Sequence, residues 1–149
     1  MTTKPAEGAA SHPLDLPATE IARGIREGQF SSESVVSESI RRARLVTATL
    51  NAFTVIREDQ ALEAARAADR VIARGEATAP LHGVPFAAKD LTPTEGDLTT
   101  LGSWTRGDWV PGETALVVRR LQEAGGILMG RLLPPNLPMQ ASPIARAGV

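Results

Sequence analysis

Val84-Pro85-Phe86-Ala87-Ala88-Lys89 and Ile127-Leu128-Met129-Gly130 are two compact apolar runs, with a helical pattern at Thr114–Ala124 between them. Short apolar runs bounded by turn residues suit buried strands. In the helical stretch Leu116, Val117, Arg120 and Leu121 fall at helical intervals, and Gly125-Gly126 ends it. Strand, helix, strand over 84–130 is a βαβ unit, whose two strands should pair in parallel through a right-handed crossover. Pro85 has no N–H, so it belongs among a strand's first residues or at an edge. Because a parallel sheet must be covered on both faces, the helices upstream become its expected cover and the fold class is α/β.

Working towards the N-terminus, Gly75–Gly83 reads as a linker. Asp59–Arg74 is the clearest helix, with Ala61, Leu62, Ala65, Ala68, Val71 and Ile72 in one stripe and Gly75 as the capping residue. Its charges, among them Glu63, Arg66, Asp69 and Arg70, read as an ordinary surface. Asn51–Ile56 has the β-branched and aromatic bias of a short strand. A helix is expected from about Glu33 to Thr47, capped by Ser31 or Ser32, with Val35, Val36, Ile40, Ala43 and Val46 on its apolar face. Arg41, Arg42 and Arg44 crowd its C-terminal half, where cations suit the helix dipole and Glu33 and Glu38 balance them, so a solvated helix end is expected. A shorter helix occupies Ala18–Glu27. Residues 1–17, rich in Ala, Gly, Pro and polar residues, read as a flexible arm that includes His12. From Arg131 onward four prolines and no clear period suggest an irregular tail.

The 149 residues carry 16 Lys and Arg against 17 Asp and Glu, a net charge of −1. That balance offers no basic arm for a nucleic acid and no basic patch for a membrane surface. No run of about 18 apolar residues is present to span a bilayer. The first residues lack the apolar core of a secretory signal, and the expected location is cytoplasmic. With no cysteine, disulfides, thiolate catalysis and cysteine-bound zinc are excluded. Two histidines are too few for a histidine-rich metal site. The 23 alanines and the 3% aromatic content mean that much of the apolar surface is small. Helices can approach closely on such faces, but each alanine buries little area.

Lys89 is the sharpest chemical feature. It ends an apolar strand and opens a long polar segment, Asp90–Glu113. Ligands of open α/β sheets bind at the carboxyl ends of strands, and a lysine partly buried there could act as a base. The plainer alternative is a surface lysine at a strand end, paired with Asp90. Asp90 could instead orient Lys89, or be a turn residue. His82 is either at the mouth of such a site or an ordinary loop histidine. A nucleotide site is not supported, since neither G-x-G-x-x-G nor G-K-[ST] follows the strand.

The segment Leu81-His82-Gly83-Val84-Pro85-Phe86-Ala87-Ala88-Lys89-Asp90-Leu91 resembles the lysine segment of the amidase signature family, roughly G-x-L-x-G-[VI]-P-[FIV]-[AG]-[VIL]-K-D. Thr99-Thr100-Leu101-Gly102-Ser103 is similar to the family's T-T-x-G-S, which gives Ser103 a structural role. Glu113–Leu121 is similar to its D-A-x-V-V-x-R-L helix, and Ala124–Arg131 to its A-G-A-x-[IV]-[LI]-G-K. Ser31-Ser32, Leu50-Asn51-Ala52-Phe53 and Ala64–Asp69 stand upstream in the family's order. The resemblance covers about residues 18–140. It implies the N-terminal part of the amidase-signature fold, with N-terminal helices leading into a mixed, largely parallel sheet covered by helices. It also implies hydrolysis of a small-molecule carboxylic amide by a nucleophilic serine, a second serine in a cis peptide linkage, and a lysine matched here by Lys89. In that scheme the lysine, through the bridging serine, takes the nucleophile's proton, a histidine-free form of the activated nucleophile. No metal and no organic cofactor is implied.

The chain also departs from the family pattern. The family's two serines and its oxyanion-hole amides lie in a stretch of the type G-G-S-S-G-G, some tens of residues past the lysine, and no such stretch occurs here. Ser142 lies among tail residues with no glycine elbow around it. Where the family favours G-K-T-N-x-P-E, Gly130 is followed by Arg131-Leu132-Leu133-Pro134-Pro135-Asn136. A truncated gene, a frameshift near residue 131 and a divergent subgroup each account for this. The expectation is therefore residues 18–149 as the N-terminal portion of an amidase domain, cut before its Gly/Ser-rich segment and inactive alone. The alternative is a non-catalytic fragment or pseudoenzyme serving as an interaction module. The Lys89–Thr94 wording looks more like general amidases than like the glutamine-processing subunits of transfer-RNA amidation.

Overall fold

A computed structural model describes residues 12–76, 78–103 and 106–134. A 3-10 turn at Pro13–Asp15 leads into α1 (Ala18–Arg26), α2 (Ser32–Leu50), β1 (Phe53–Ile56), α3 (Glu58–Ala73), β2 (Pro85–Lys89), α4 (Leu116–Glu123) and β3 (Ile127–Leu132). Most of the expected arm, residues 1–11, lies outside the described residues. At its inner end His12 caps the 3-10 turn, its Nδ1 accepting the Leu14 N–H at 3.2 Å, and Leu14 and Leu16 pack against α1.

The strands form one mixed sheet in the order β1-β3-β2. β2 and β3 are parallel, as the βαβ reading requires, while β1 runs antiparallel to β3 on its other side. Pro85 opens β2, an edge strand among those described, so its missing N–H leaves no gap inside the sheet. One face of the sheet is covered by α2 and α3, where Val36, Ile40, Ala43, Ala61 and Ala65 enclose Ile127 and Met129 of β3. The alanines bring the two helices close together. α4 covers the other face, with Val118 against Phe86, Ala88 and Leu128. A second cluster joins α1 to the start of β2 through Ile21, Ala22, Ile25, Val35 and Val84.

The local signals account for the element ends. Ser31 Oγ accepts the Ser34 N–H at 3.0 Å and starts α2. α2 runs three residues past the expected end at Thr47, to Leu50, where Asn51 takes a left-handed conformation (φ 52°) that asparagine tolerates. Val46, expected on the apolar face, is 42% exposed. α3 ends as expected at Gly75, whose φ of +67° lets its N–H and that of Glu76 reach the carbonyls of Ile72 and Val71.

The tail expected from Arg131 begins later. Arg131 and Leu132 continue β3, because β1 and β2 both pair that far: Phe53 and Lys89 lie opposite Leu132. Residues 135–149, including Ser142, lie outside the described residues.

Candidate active site

Lys89 is the last residue of β2, at the carboxyl ends of the parallel pair β2 and β3. Strand alternation sends adjacent side chains to opposite sides. Ala88 and Asp90 are buried and Lys89 is exposed between them. Its Nζ donates to the Leu133 carbonyl at 3.2 Å and has no ion pair with Asp90 among the described residues. The partial burial expected for Lys89 is thus not what these residues create around it.

Asp90 faces the interior, with 0% of its surface exposed. Its Oδ2 accepts the Thr100 hydroxyl at 2.5 Å and the Thr100 N–H at 3.2 Å. Its Oδ1 accepts from Nη2 of Arg131 at 3.3 Å. Arg131 is likewise 0% exposed, and it also donates to Thr99 Oγ1 at 3.1 Å and to Thr94 Oγ1. A buried arginine and a buried carboxylate are tolerated when they are paired and hydrogen-bonded, and here the pair is made through Nη2 while Nη1 and Nη2 also reach threonine hydroxyls; Nε of Arg131 is left buried without a partner among the described residues. The backbone of Asp90 is held as well: its N–H donates to the Leu132 carbonyl at 2.9 Å, and its carbonyl accepts the Leu101 N–H at 3.1 Å. The described part of the long polar segment is therefore fastened at Thr100 and Leu101 to the residue after Lys89.

Leu101 (φ 54°) and Gly102 (φ 66°) are two successive residues of the loop in the left-handed region. A leucine in the left-handed region carries roughly 1–2 kcal/mol of strain. The Leu101 N–H bond to Asp90 and the bond from the Gly102 N–H to Thr100 Oγ1 at 3.1 Å hold it there. Further out, the Thr99 N–H donates to the Trp109 carbonyl at 2.9 Å, and the Ala115 N–H to the Pro93 carbonyl at 2.9 Å, which ties the first part of the loop to the start of α4.

His82 lies at the other end of β2 from Lys89, buried, with Nε2 3.0 Å from the Ala68 carbonyl of α3. Of its two readings, the loop histidine in a structural role is the one the geometry supports. Thr99 and Arg131 fall within stretches that resemble family motifs, but nothing in those stretches indicates that the two side chains meet, and Thr94 lies in no such stretch. Arg131 stands where the sequence reads as the start of an irregular tail, and its partners lie 32 to 41 residues away. No group of three or more His, Cys, Asp or Glu that could hold a metal occurs among the described residues, and none of their helices is long and apolar enough to cross a membrane.

This strand-end lysine and the loop fastened beside it are parts of a known architecture. The Amidase family model matches residues 34–142. The chain belongs to the Amidase family, and its fold is the N-terminal part of the amidase-signature fold. It is 42% identical over 127 residues to a glutamyl-tRNA(Gln) amidotransferase subunit from Moorella thermoacetica, a match covering 85% of this chain and 26% of that protein. It is 36% identical to the putative amidase AmiD of Mycobacterium tuberculosis, covering 86% of this chain and 29% of the relative. Among solved structures, a bacterial aryl acylamidase of the amidase signature family superposes with a TM-score of 0.74 at 28% identity, over 80% of this chain and 25% of that one. The chain spans about a quarter of the length of the relatives it matches.

Proposed function

We propose that this chain supplies the lysine base of an amidase-signature hydrolase that cleaves carboxylic amide C–N bonds. The observation that carries the reading is Lys89 itself: an exposed amine on a fixed backbone, at the carboxyl end of a strand in a parallel pair, where α/β folds bind ligands. In the proposed cycle Nζ of Lys89 takes a proton from a bridging serine as that serine takes the nucleophilic serine's proton. The nucleophile attacks the amide carbonyl, the amine departs with a proton, and water hydrolyses the acyl-enzyme ester. Both serines, and the amides of the oxyanion hole, belong to a Gly/Ser-rich segment that these 149 residues do not contain. The substrate is a small-molecule amide, and the cycle uses no metal or organic cofactor.

The relatives include both amidotransferase subunits and amidases, so the Lys89–Thr94 wording does not separate the two branches. The proposed site is cytoplasmic.

Two experiments test the reading. The purified 149-residue chain is expected not to hydrolyse an aryl amide such as p-nitroacetanilide; robust turnover abolished by Lys89→Ala would overturn its assignment as an incomplete enzyme. In a hybrid, this chain replaces the matched quarter of the aryl acylamidase. Lys89→Ala in the hybrid should lower kcat by about a thousandfold or more, on the scale of losing a general base and the activation of its nucleophile. Unchanged kcat would remove Lys89 from the mechanism.

A further inference from the structure

The buried pair Asp90–Arg131 does work that the Lys89 mechanism leaves unassigned. Asp90 follows Lys89 directly, and every polar group it has is engaged: N–H to Leu132, carbonyl to Leu101, one carboxylate oxygen to Thr100 and the other to Arg131. Arg131 lies near the end of the neighbouring strand and spreads its guanidinium over Asp90, Thr94 and Thr99. Three pieces of chain that share no local sequence are thereby joined under Lys89: the end of β2, the end of β3, and loop residues 94–101. The fork of an arginine suits this, since it can reach several acceptors in one plane. The carbonyl of Lys89 is held too, accepting the Thr92 N–H at 2.9 Å. Lys89 is left with an exposed side chain on a main chain fixed on both sides.

We propose that Asp90 and Arg131 are positioning residues, a latch that fixes the direction of the Lys89 side chain and the shape of the loop bend at Leu101-Gly102. The inference rests on Lys89 being the base. A latch of this kind adds precision: a base displaced by about 1 Å loses much of its effect even in a folded enzyme. Breaking only one half of the pair leaves the other charge buried and unmatched, so the local backbone should open before the rest of the fold.

Amide exchange in the 149-residue chain reads the latch without any catalysis. Arg131→Met should accelerate exchange at Asp90, Thr100 and Leu101 by tenfold or more, with core amides of α2 such as Ile40 changed less than twofold. Uniform acceleration along the chain would reduce the pair to a general stabiliser and overturn the proposal. In the hybrid enzyme, Arg131→Met should lower kcat at least tenfold with KM within threefold, while Arg131→Lys, which keeps the charge, restores kcat to within about threefold of the parent. The double variant Asp90→Asn/Arg131→Met removes both buried charges, so it should recover the melting temperature while kcat stays low. Recovery of both together would mean that the pair only stabilises. Should Arg131→Met fail to fold, Thr100→Val, which removes one donor to Asp90, carries the same exchange and kcat expectations. Activity retained in Lys89→Ala would dismiss the base while the exchange result still stood on its own.

Discussion

Asp69 of α3 caps the N-terminus of α2: its two carboxylate oxygens accept the N–H groups of Ser32 at 2.7 Å and Glu33 at 3.0 Å. Four N–H groups at a helix start have no partner within the helix, and a carboxylate there also meets the positive end of the helix dipole. The same helix start is pinned to the β2 segment, since Ser32 Oγ donates to the Gly83 carbonyl at 2.8 Å. Asp69 thus couples the two helices that cover one face of the sheet.

Asp69→Ala should therefore destabilise the chain by about 1–2 kcal/mol, the usual range for losing a cap. Urea denaturation should show a lower midpoint with an unchanged slope. A change within about 0.5 kcal/mol, the range of an ordinary surface substitution, would return Asp69 to the solvated face on which its sequence context placed it.

What was legible in the sequence was local. Helical spacing, Ser31 as cap, Gly75 as a helix end, and the apolar runs at 84–89 and 127–130 each act over a few residues, and each appears in the fold close to its expected bounds. Lys89 was legible because strand order puts it at a strand's carboxyl end. The roles of Asp69, Asp90 and Arg131 were not, because each depends on at least one partner 32 to 41 residues away, beyond the reach of any local pattern. A charged residue carries no sign of whether its counter-ion waits in the interior, so Arg131 resembled the start of a tail and Asp69 a surface charge. The antiparallel direction of β1 is likewise set by where α2 and α3 pack, not by anything in its four residues.

Gly130 is held to glycine by close approach. A Cβ there would lie 2.6 Å from the Val55 carbonyl oxygen and 3.0 Å from the Phe53 ring, both on β1. The carbonyl is backbone and cannot swing aside, so β1 would have to shift on β3. Gly130→Ala should destabilise by about 1–3 kcal/mol, the range for overfilling a packed site. Retention of the parent urea midpoint would show that β1 moves freely.

Glu38 on α2 binds Arg41 through Nε at 2.6 Å and Nη2 at 2.7 Å, and Arg42 through Nε at 3.0 Å. Hydrogen bonds first from Arg41 and then from Arg42 hold its carboxyl down to about 2. A carboxylate lowered in the folded state stabilises fully above its ordinary value of about 4.3, and loses that contribution as pH falls through the lowered one. The melting temperature of Glu38→Gln should thus lie below the parent's at pH 7, and the gap should close between about pH 5 and pH 2. A gap constant across that window would mean that the charge of Glu38 plays no part in it.

Lys89→Ala should leave stability within about 0.5 kcal/mol of the parent, as for other exposed residues outside the packed interior. Its side chain is exposed, and its single described hydrogen bond, to the Leu133 carbonyl, competes with water. The neighbouring Asp90 carries the structural burden, because the buried carboxylate and not the exposed amine holds the two strand ends together. Thermal melts of the two chains should then superpose within a few degrees, and the loss of turnover expected for the hybrid is chemical in origin. A drop of 2 kcal/mol or more, about a quarter of the ~5–15 kcal/mol that holds a typical domain folded, would instead make Lys89 part of the scaffold and leave the base unassigned.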